Sequence, residues 1–318
     1  MPGRKIRVNC ADFSSERMRF ENYIFRLIAK HFDVEVSDDP EILLYSCSGR
    51  EFLKYDCLRI YYTGENTRPN FKLCDYAFSF DHSDNPRHYR LPDYAAYEDV
   101  RELLKPKDVD AVASAKTKFC EFTYSNPSAL ERIRFFEALS EYKKIDSFGK
   151  VLNNTPGVEG SADRTNANWK GYRRGFLLPY KFSIAFENES HPGYVTEKIL
   201  YAMLTNAIPI YWGNPKIGKD FNTKSFINCH EYGSFDEVVE RVIEVDRDED
   251  LYRRYLAEPY YHGNRIPENL LEENIVRRLK LIIDNRERVR PVARQNLAVT
   301  EEELDASLFR TLRRLEKD

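Results

Sequence analysis

The chain has 318 residues, a formal net charge of -3 and a hydrophobic share of 42%, enough apolar material for one large domain or two of ordinary size. This nearly neutral balance argues against nucleic acid as the main partner, because proteins that bind phosphate backbones usually carry a basic excess. The 21 tyrosines and 20 phenylalanines are compatible with sugar binding, but composition alone favours the simpler explanation of an aromatic core.

None of the six cysteines belongs to a Cys-x-x-Cys pair, so neither a zinc site nor a redox motif is indicated. We expect free thiols that pack as small apolar groups. No apolar run approaches the ~20 residues needed to cross a bilayer, and residues 1–5 lack the apolar core of a signal peptide. These features predict a soluble protein of a reducing, cytoplasmic compartment, or else a catalytic domain trimmed of its membrane anchor.

The first third of the chain alternates between predicted strands and helices. The segment from Ser15 to His31 has apolar residues at helical spacing. Short apolar runs bounded by Asp, Ser, Gly and Asn predict strands at 6–10, 34–36, 42–45, 58–62 and 76–80. This alternation favours a mostly parallel sheet covered on both faces. We interpret the polar segment from Lys105 to Lys116 as a linker.

A second α/β pattern then begins. Strands are predicted at 118–124, 181–186 and 207–212, and helices at 129–142, 197–205, 235–244, 248–256, 269–284 and 301–316. The unit from 181 to 212 is a βαβ motif, for which a right-handed crossover and parallel strands are expected. The segment from Gly149 to Gly175 is rich in Asn, Gly and basic residues and predicts a long mobile loop.

Polar side chains follow the strand at 181–186. In open parallel sheets ligands bind beyond the carboxyl ends of the strands. Thr196 suits a helix N-cap, and the helix start would favour a phosphate, to which Lys198 adds a full positive charge. Glu197 is suited to accept hydrogen bonds from ribose hydroxyls. Spacing alone nevertheless favours the alternative of a solvated first helical turn. Strand alternation also predicts that Glu187 faces away from Asn188 and has a structural role.

Several stretches resemble known sequences. Residues 180–188 (YKFSIAFEN), 194–198 (YVTEK) and 208–213 (IPIYWG) resemble the donor-site signature of the α1,3/4-fucosyltransferase family, glycosyltransferase family 10. Residues 62–66 (YTGEN), and Ser125-Asn126-Pro127 followed by Arg132, are similar to bacterial members of that family. The resemblance runs collinearly from about residue 58 to 240. The segment from Asn9 to Phe13 lacks the paired tryptophans of some bacterial members, which leaves the acceptor in doubt but not the donor.

The resemblance implies an α/β fold of the glycosyltransferase-B type, with two Rossmann-like domains facing across a cleft and helices at the carboxyl terminus. We expect an acceptor domain at 1–115, a GDP-fucose-binding domain at 116–298 and a helical tail at 299–318.

The resemblance also implies an inverting transfer of L-fucose from GDP-fucose to an oligosaccharide. The expected acceptor is the 3-OH of N-acetylglucosamine in a Gal-GlcNAc type glycan, and the product is α-linked. Glu65 matches the proposed general base, and Arg132 and Lys198 match the groups on the pyrophosphate. The remaining donor contacts match three further residues: Asn188, Tyr194 and Glu197.

This chemistry suits those residue types. An inverting transfer needs a carboxylate that takes the proton of the acceptor hydroxyl as its oxygen attacks an oxocarbenium-like carbon. Fixed cations stabilise the departing diphosphate, and two of them can serve without a metal. An arginine of the 149–175 segment could assist, although solubility alone explains each candidate: Arg164, Arg173 and Arg174.

Two Asp-x-Asp pairs, 108–110 and 246–248, fit a common metal motif of sugar-nucleotide enzymes. The first lies in the linker and the second between helices, so we predict no required cofactor or metal, with GDP-fucose as co-substrate.

Alternatives stay open. The same fold could use another nucleotide sugar, or the chain could be a glycan-binding module with an inactive donor site. The basic tail could also touch an anionic membrane surface, or simply pack back on the protein; its arginines are Arg286, Arg288, Arg290 and Arg294.

Overall fold

The computed structural model describes residues 5–155, 174–295, 297–306 and 308. The chain divides into two compact units. The first unit comprises Met1–Ala96 and Pro267–Asp318, and the second comprises Tyr97–Ile266. Each unit contains one parallel sheet, so the predicted α/β class with two consecutive sheets is confirmed.

The sheet of the first unit has six parallel strands in the order β2-β1-β3-β4-β5-β6. Its central strands are buried along their whole length, as expected of a parallel sheet covered on both faces. The strands are β1 (Ile6–Ala11), β2 (Val34–Val36), β3 (Ile42–Tyr45), β4 (Leu58–Tyr62), β5 (Tyr76–Ser79) and β6 (His88–Arg90).

The predicted helix from Ser15 to His31 is two helices, α1 (Glu16–Glu21) and α2 (Tyr23–His31). The break lies at Asn22, whose backbone is extended at φ -64° and ψ 153°. The Asn22 side chain accepts a hydrogen bond of 2.9 Å from the Phe25 N–H. An Asn that caps a second helix therefore interrupts a continuous apolar pattern.

The sheet of the second unit has five parallel strands in the order β11-β10-β9-β7-β8. In both sheets the first strand lies between the second and the third, so the strand order reverses beside that first strand. In the second unit this switch point lies between β7 and β9, where ligands of such sheets bind. The strands are β7 (Lys118–Phe122), β8 (Ile145–Ser147), β9 (Tyr180–Phe186), β10 (Ile208–Trp212) and β11 (Ile227–Asn228).

The described part of the second unit includes the helices α3 (Val109–Ala115), α4 (Leu130–Ser140), α5 (Glu197–Leu204), α6 (Phe235–Arg247) and α7 (Glu249–Ala257). The linker prediction at 105–116 is wrong over α3, whose Val112 and Ala113 pack against the core of the unit. Asp108 begins this helix by accepting a hydrogen bond of 3.0 Å from the Ala111 N–H. Of the predicted 149–175 loop, residues 156–173 lie outside the described part of the chain.

The core of the second unit is aromatic and aliphatic on the sheet face that α4 and α6 cover. Phe122, Ile184 and Phe186 from the strands contact Phe135 of α4 and Val238 of α6 within one buried cluster. All six cysteines are buried and free, as predicted.

The carboxyl-terminal part of the chain returns to the first unit. Helix α8 (Glu272–Asp284) packs against α2, and Glu272 accepts hydrogen bonds of 2.7 Å from both Lys30 and His31. Helix α9 (Glu301–Ala306) places Leu304 in a buried cluster with residues of β3 and β4. The expected boundaries at 115/116 and 298/299 therefore differ from the observed ones, because α8 and α9 find their apolar partners in the first unit. Of the predicted 301–316 helix, residues 301–306 are helical, while 307 and 309–318 lie outside the described part.

Within the described residues, no helix has the length and apolar character required to cross a membrane.

Candidate functional site

Arg132 is a buried cation at the switch point of the second sheet. It lies on α4, the helix that follows β7, and its side chain reaches the end of β9. One guanidinium nitrogen, Nη2, donates to the carbonyl oxygen of Phe186 at 3.1 Å and to Oδ1 of Asn188 at 2.8 Å. The guanidinium also lies 3.9 Å from the centre of the Tyr124 ring. Residues from both strands that flank the switch point thus fix the position of this side chain.

Arg132 is only 1% exposed, and burial of a charged side chain is unfavourable unless neighbouring groups compensate it. Burial lowers the pKa of Arg132, and the neighbouring Tyr124, Glu187, Tyr194 and Glu197 act in the opposite direction. An arginine remains charged under such conditions, because its ordinary pKa is above 12. The site therefore contains a permanent positive charge whose position the protein fixes before any ligand arrives.

The two residues that follow β9 point to different partners, as strand alternation predicts. Asn188 binds Arg132, whereas Glu187 is fully buried and faces the start of α5. Glu187 accepts hydrogen bonds of 2.8 Å from the N–H and from the hydroxyl of Thr196. Its Oε2 atom lies 3.1 Å from the ammonium nitrogen of Lys198. Glu187, for which the sequence predicts a structural role, is thus in direct contact with Lys198, a predicted site residue.

Helix α5 begins as predicted, with Thr196 at the N-cap position, but the cap differs from the expectation. The Thr196 hydroxyl donates to Glu187 and accepts no capping hydrogen bond from a backbone N–H of the helix that it begins. The same hydroxyl oxygen accepts a hydrogen bond of 2.9 Å from Lys198. The alternative of a solvated first turn is wrong, because Glu197 is only 4% exposed and the Lys198 side chain 12% exposed.

Hydrogen bonds to β10 and to the turn after it fix the position of Tyr194 and of the segment before α5. Tyr194 is buried, and its carbonyl oxygen accepts a hydrogen bond of 3.3 Å from the Tyr211 hydroxyl. Gly193 has a positive φ of 90°, which glycine adopts readily. Its N–H donates a hydrogen bond of 2.7 Å to Oδ1 of Asn214. Asn214 is fully buried. Tyr211, predicted as a core residue, therefore also supports the backbone beside the predicted site.

Gly213 is a residue that sequence reasoning missed. A Cβ atom at this position would lie 2.7 Å from the Cβ of Glu187, closer than two side chains can approach. The available signal was the Gly at the end of the IPIYWG run, since a Gly next to a strand often marks a close approach of two segments. Glu187 can occupy its position only because residue 213 has no side chain.

Glu65 lies in the first unit, in the turn that follows β4. Its N–H donates to the Thr63 hydroxyl at 3.0 Å, and its carbonyl oxygen accepts from the Thr67 N–H at 2.7 Å. The residue is partly exposed. Burial raises the pKa of the neighbouring Cys47 thiol, and the negative charge of Glu65 adds to that shift. The structure thus brings five predicted residues together in the second unit (Arg132, Asn188, Tyr194, Glu197 and Lys198) and places Glu65 in the other unit.

The two Asp-x-Asp pairs have structural partners. Asp248 begins α7 by accepting a hydrogen bond of 2.9 Å from the Leu251 N–H, in the same way as Asp108 begins α3. Asp246 forms ion pairs with Lys143 and Lys181, and Asp110 pairs with Arg253. Within the described ranges, no cluster of three or more His, Cys, Asp or Glu residues could hold a metal ion.

Of the three arginines predicted to assist at the donor, Arg164 and Arg173 lie outside the described residues. Arg174 forms ion pairs with Glu98 at 3.3 Å and with Glu102 at 3.0 Å. Its guanidinium is therefore occupied by two carboxylates in this structure.

Two family profiles match the chain. Residues 8–97 match the α-(1,3)-fucosyltransferase FucT N-terminal domain, and residues 113–262 match the carboxyl-terminal domain of glycosyltransferase family 10 (fucosyltransferase). Together they cover about three quarters of the sequence. The chain belongs to glycosyltransferase family 10. This confirms the family that the sequence motifs indicated.

Individual relatives support the same family assignment. The α-(1,3)-fucosyltransferase FucT of Helicobacter pylori is 35% identical over 245 residues, which are 66% of this chain and 49% of that protein. The α-(1,3)-fucosyltransferase B of Drosophila melanogaster is 30% identical over 203 residues, 60% of this chain and 46% of that protein. The chain thus spans about half the length of these family relatives.

Solved structures confirm the fold class as glycosyltransferase-B-like. A crystal structure of α1,3-fucosyltransferase with GDP-fucose superposes with a TM-score of 0.72 and 27% identity, over 88% of this chain and 91% of that one. A second one, with GDP, has a TM-score of 0.73 and 26% identity, over 92% and 93% of the two chains.

Proposed function

We propose that this member of glycosyltransferase family 10 transfers L-fucose from GDP-fucose to a hydroxyl of an oligosaccharide, with inversion at the anomeric carbon. The observation that carries the proposal is a pair of cations at the switch point of the second sheet: the buried Arg132 and Lys198, whose side chain is 12% exposed. Superposition over most of the chain on an α1,3-fucosyltransferase crystallised with GDP-fucose supports the choice of donor.

In this proposal the second unit binds the donor. Arg132 and Lys198 contact the pyrophosphate, to which a guanidinium and an ammonium offer charge-assisted hydrogen bonds. Asn188 orients Arg132 through the 2.8 Å hydrogen bond and shares the remaining donor contacts with two buried neighbours, Tyr194 and Glu197. Arg132, Tyr194 and Glu197 are almost completely shielded from solvent. Fixed polar groups stabilise charge most strongly in sites from which water is excluded.

The proposed reaction uses Glu65 as the general base. Its carboxylate takes the proton of the acceptor hydroxyl while the oxygen forms a bond to the anomeric carbon of fucose. The bond from that carbon to the β-phosphate oxygen breaks, and GDP leaves with the bonding electron pair. Because attack and departure occur on opposite faces, the β-linked fucose of the donor becomes α-linked in the product.

We further propose that no divalent metal is required. In the described part of the chain both Asp-x-Asp pairs cap helices or bind basic side chains, which leaves them unsuited to hold a metal on a diphosphate. Arg132 and Lys198 supply positive charge in its place. Initial rates measured with an excess of EDTA and with added Mg²⁺ or Mn²⁺ test this directly, and loss of activity in EDTA alone would contradict it.

The proposed acceptor is the 3-OH of N-acetylglucosamine in a Gal-GlcNAc type glycan. The support is the α-(1,3) linkage in the names of the relatives of the chain. A cytoplasmic location and contact of the tail with an anionic membrane stay predictions. Among the tail arginines, Arg286 and Arg294 form ion pairs with Glu41 and Asp56 of the first unit.

The decisive experiment has two stages. Calorimetry first compares binding of GDP and GDP-fucose with that of UDP and ADP sugars; a preference for a UDP sugar would contradict the proposed donor. A panel of glycan acceptors is then incubated with GDP-fucose, and the linkage of any product is determined by NMR. Glycan binding without product in every case would instead indicate an inactive binding module.

A further inference from the structure

Glu187 is a charged residue that the proposed mechanism does not use, although it is 0% exposed. Burying an ionised carboxylate is unfavourable unless hydrogen bonds and an opposite charge compensate it. Here both oxygens are compensated: Oε1 accepts from the Thr196 N–H, and Oε2 accepts from the Thr196 hydroxyl and from Lys198. Three contacts on one short stretch of chain give this carboxylate a defined geometry.

The same contacts define the direction of Lys198. A lysine ammonium has three donors on a flexible four-carbon stem. One donor faces Oε2 of Glu187 at 3.1 Å, and a second faces the Thr196 hydroxyl at 2.9 Å. With two of the three directions fixed, the third is fixed as well. The Lys198 side chain is 12% exposed, so a ligand can reach it.

The backbone near Glu187 fixes the end of β9 and leaves space for the carboxylate. The Glu187 N–H donates to the Trp212 carbonyl oxygen at 2.8 Å, which aligns the end of β9 with the end of β10. At the next residue, Gly213, a Cβ would overlap the Glu187 side chain. The space for the carboxylate therefore depends on the absence of a side chain at residue 213.

We propose that Glu187 is a positioning residue for the donor: it orders the Lys198 ammonium and the first turn of α5 so that the third donor of Lys198 meets a phosphate oxygen of a nucleoside diphosphate. This inference rests on the proposed function and deepens it. Ordering a flexible lysine before the ligand binds removes an entropic penalty from the binding step. Glu187 thereby raises affinity for the diphosphate without touching it.

A double-mutant cycle on GDP binding tests the inference. The variants are Glu187→Gln, Lys198→Met and the double variant, each titrated by calorimetry with GDP, and with guanosine in displacement against GDP. Glu187→Gln should weaken GDP binding about tenfold, which corresponds to about 1.4 kcal/mol, and leave guanosine binding unchanged. In the Lys198→Met background the same substitution should have less than about a twofold further effect, because coupled residues are not additive.

Glu240→Gln is a matched control, since it removes the same charge from an exposed position on α6 of the same unit. It should bind GDP like the wild-type chain. Equal losses of GDP and guanosine affinity in Glu187→Gln, or equal losses in both Lys198 backgrounds, would show a purely structural role. Unchanged GDP binding in Glu187→Gln would overturn the inference outright.

Gly213→Ala provides a second approach if Glu187→Gln unfolds. It keeps the charge and displaces the carboxylate, so GDP affinity should again fall while guanosine affinity stays the same. Unchanged GDP affinity in a folded Gly213→Ala variant would contradict the inference. If the wild-type chain did not bind GDP at all, the proposed function would fail first, and this inference with it.

Discussion

The guanidinium of Arg132 donates a 2.8 Å hydrogen bond to the side-chain oxygen of Asn188, and this bond joins α4 to the end of β9. Each residue belongs to a different βα connection of the second sheet. Their contact therefore exists only when both connections are folded, and it fixes a cation where the strand order reverses.

The first prediction concerns the shape of that cation. Arg132→Lys keeps the charge but cannot bind Phe186 and Asn188 and lie over the Tyr124 ring at the same time. We expect kcat/KM for GDP-fucose to fall by about 100-fold, in the range seen when one transition-state donor is removed. Arg134→Lys, two residues along the same helix and 68% exposed, is the matched control and should retain wild-type rates. Equal rates for both variants would show that Arg132 is not at the donor.

The second prediction concerns the proposed base. Glu65→Gln keeps the size of the side chain and removes its ability to accept a proton. We expect transfer to fall by about 100- to 10,000-fold, the typical contribution of general base catalysis, while GDP affinity changes less than twofold. Rates with a saturating acceptor and calorimetry with GDP measure the two quantities. Transfer near the wild-type rate would show that another group takes the proton.

The third prediction is that the Tyr124 hydroxyl contributes to the stability of the fold and not to GDP binding. Its hydroxyl donates to the Ile184 carbonyl oxygen at 2.7 Å and accepts from the Phe186 N–H at 2.8 Å. Tyr124→Phe removes both bonds and leaves two buried backbone groups unsatisfied, so the free energy of unfolding should fall by about 1–3 kcal/mol. The ring that faces Arg132 stays, and GDP affinity should change little. Urea denaturation and calorimetry distinguish these effects; a large loss of GDP affinity with unchanged stability would contradict the assignment.

The fourth prediction concerns the pH dependence of stability. Lys116 donates to the carbonyl oxygens of Leu178 and of Thr205, the residue that follows α5. Burial lowers the pKa of Lys116 to about 7. In the unfolded chain a lysine has a pKa of about 10.4, so between about pH 7 and 10.4 the unfolded state binds more protons than the folded state. The destabilisation from Lys116 is thus complete below pH 7 and is relieved as the pH rises toward 10.4.

We therefore expect the wild-type chain to gain stability relative to Lys116→Met between pH 7 and 10. The gain should be about 1–2 kcal/mol, once solvent screening of this partly exposed side chain is allowed for. Urea denaturation of both proteins at several pH values gives the difference, which cancels other groups that titrate in this range. A constant difference across the range would show that Lys116 keeps an ordinary proton affinity.

Local sequence patterns predicted where several candidate residues lie in the fold. Asn188, Thr196 and Lys198 were placed correctly because a strand end, a turn and a helix start each leave a short-range signal. The role of Glu187 was only half predicted, since alternation gives the face of a side chain but not its partner. That partner depends on how α5 returns across the sheet, and on the absence of a side chain at Gly213, which lies 26 residues further along the chain.

The boundaries of the two units were predicted less accurately than the strands and helices within them. Helix α3 was missed because none of its residues is fully buried, so its apolar pattern is weak. The position of α8 was missed for a different reason. Its amphipathic pattern shows that one face is buried but contains no information on which sheet covers it. Ion pairs such as Lys30–Glu272 join residues far apart in the chain and leave no local trace.

The return of the chain at residue 267 has a consequence for biosynthesis. The second unit is a continuous stretch, so its apolar cluster can form as soon as that stretch has left the ribosome. The first unit starts earlier but finishes later, because the helix that covers α2 is made only after the whole of its neighbour. We therefore expect a chain that ends at residue 266 and has been released from the ribosome to hold a protease-resistant second unit attached to a protease-sensitive amino-terminal segment.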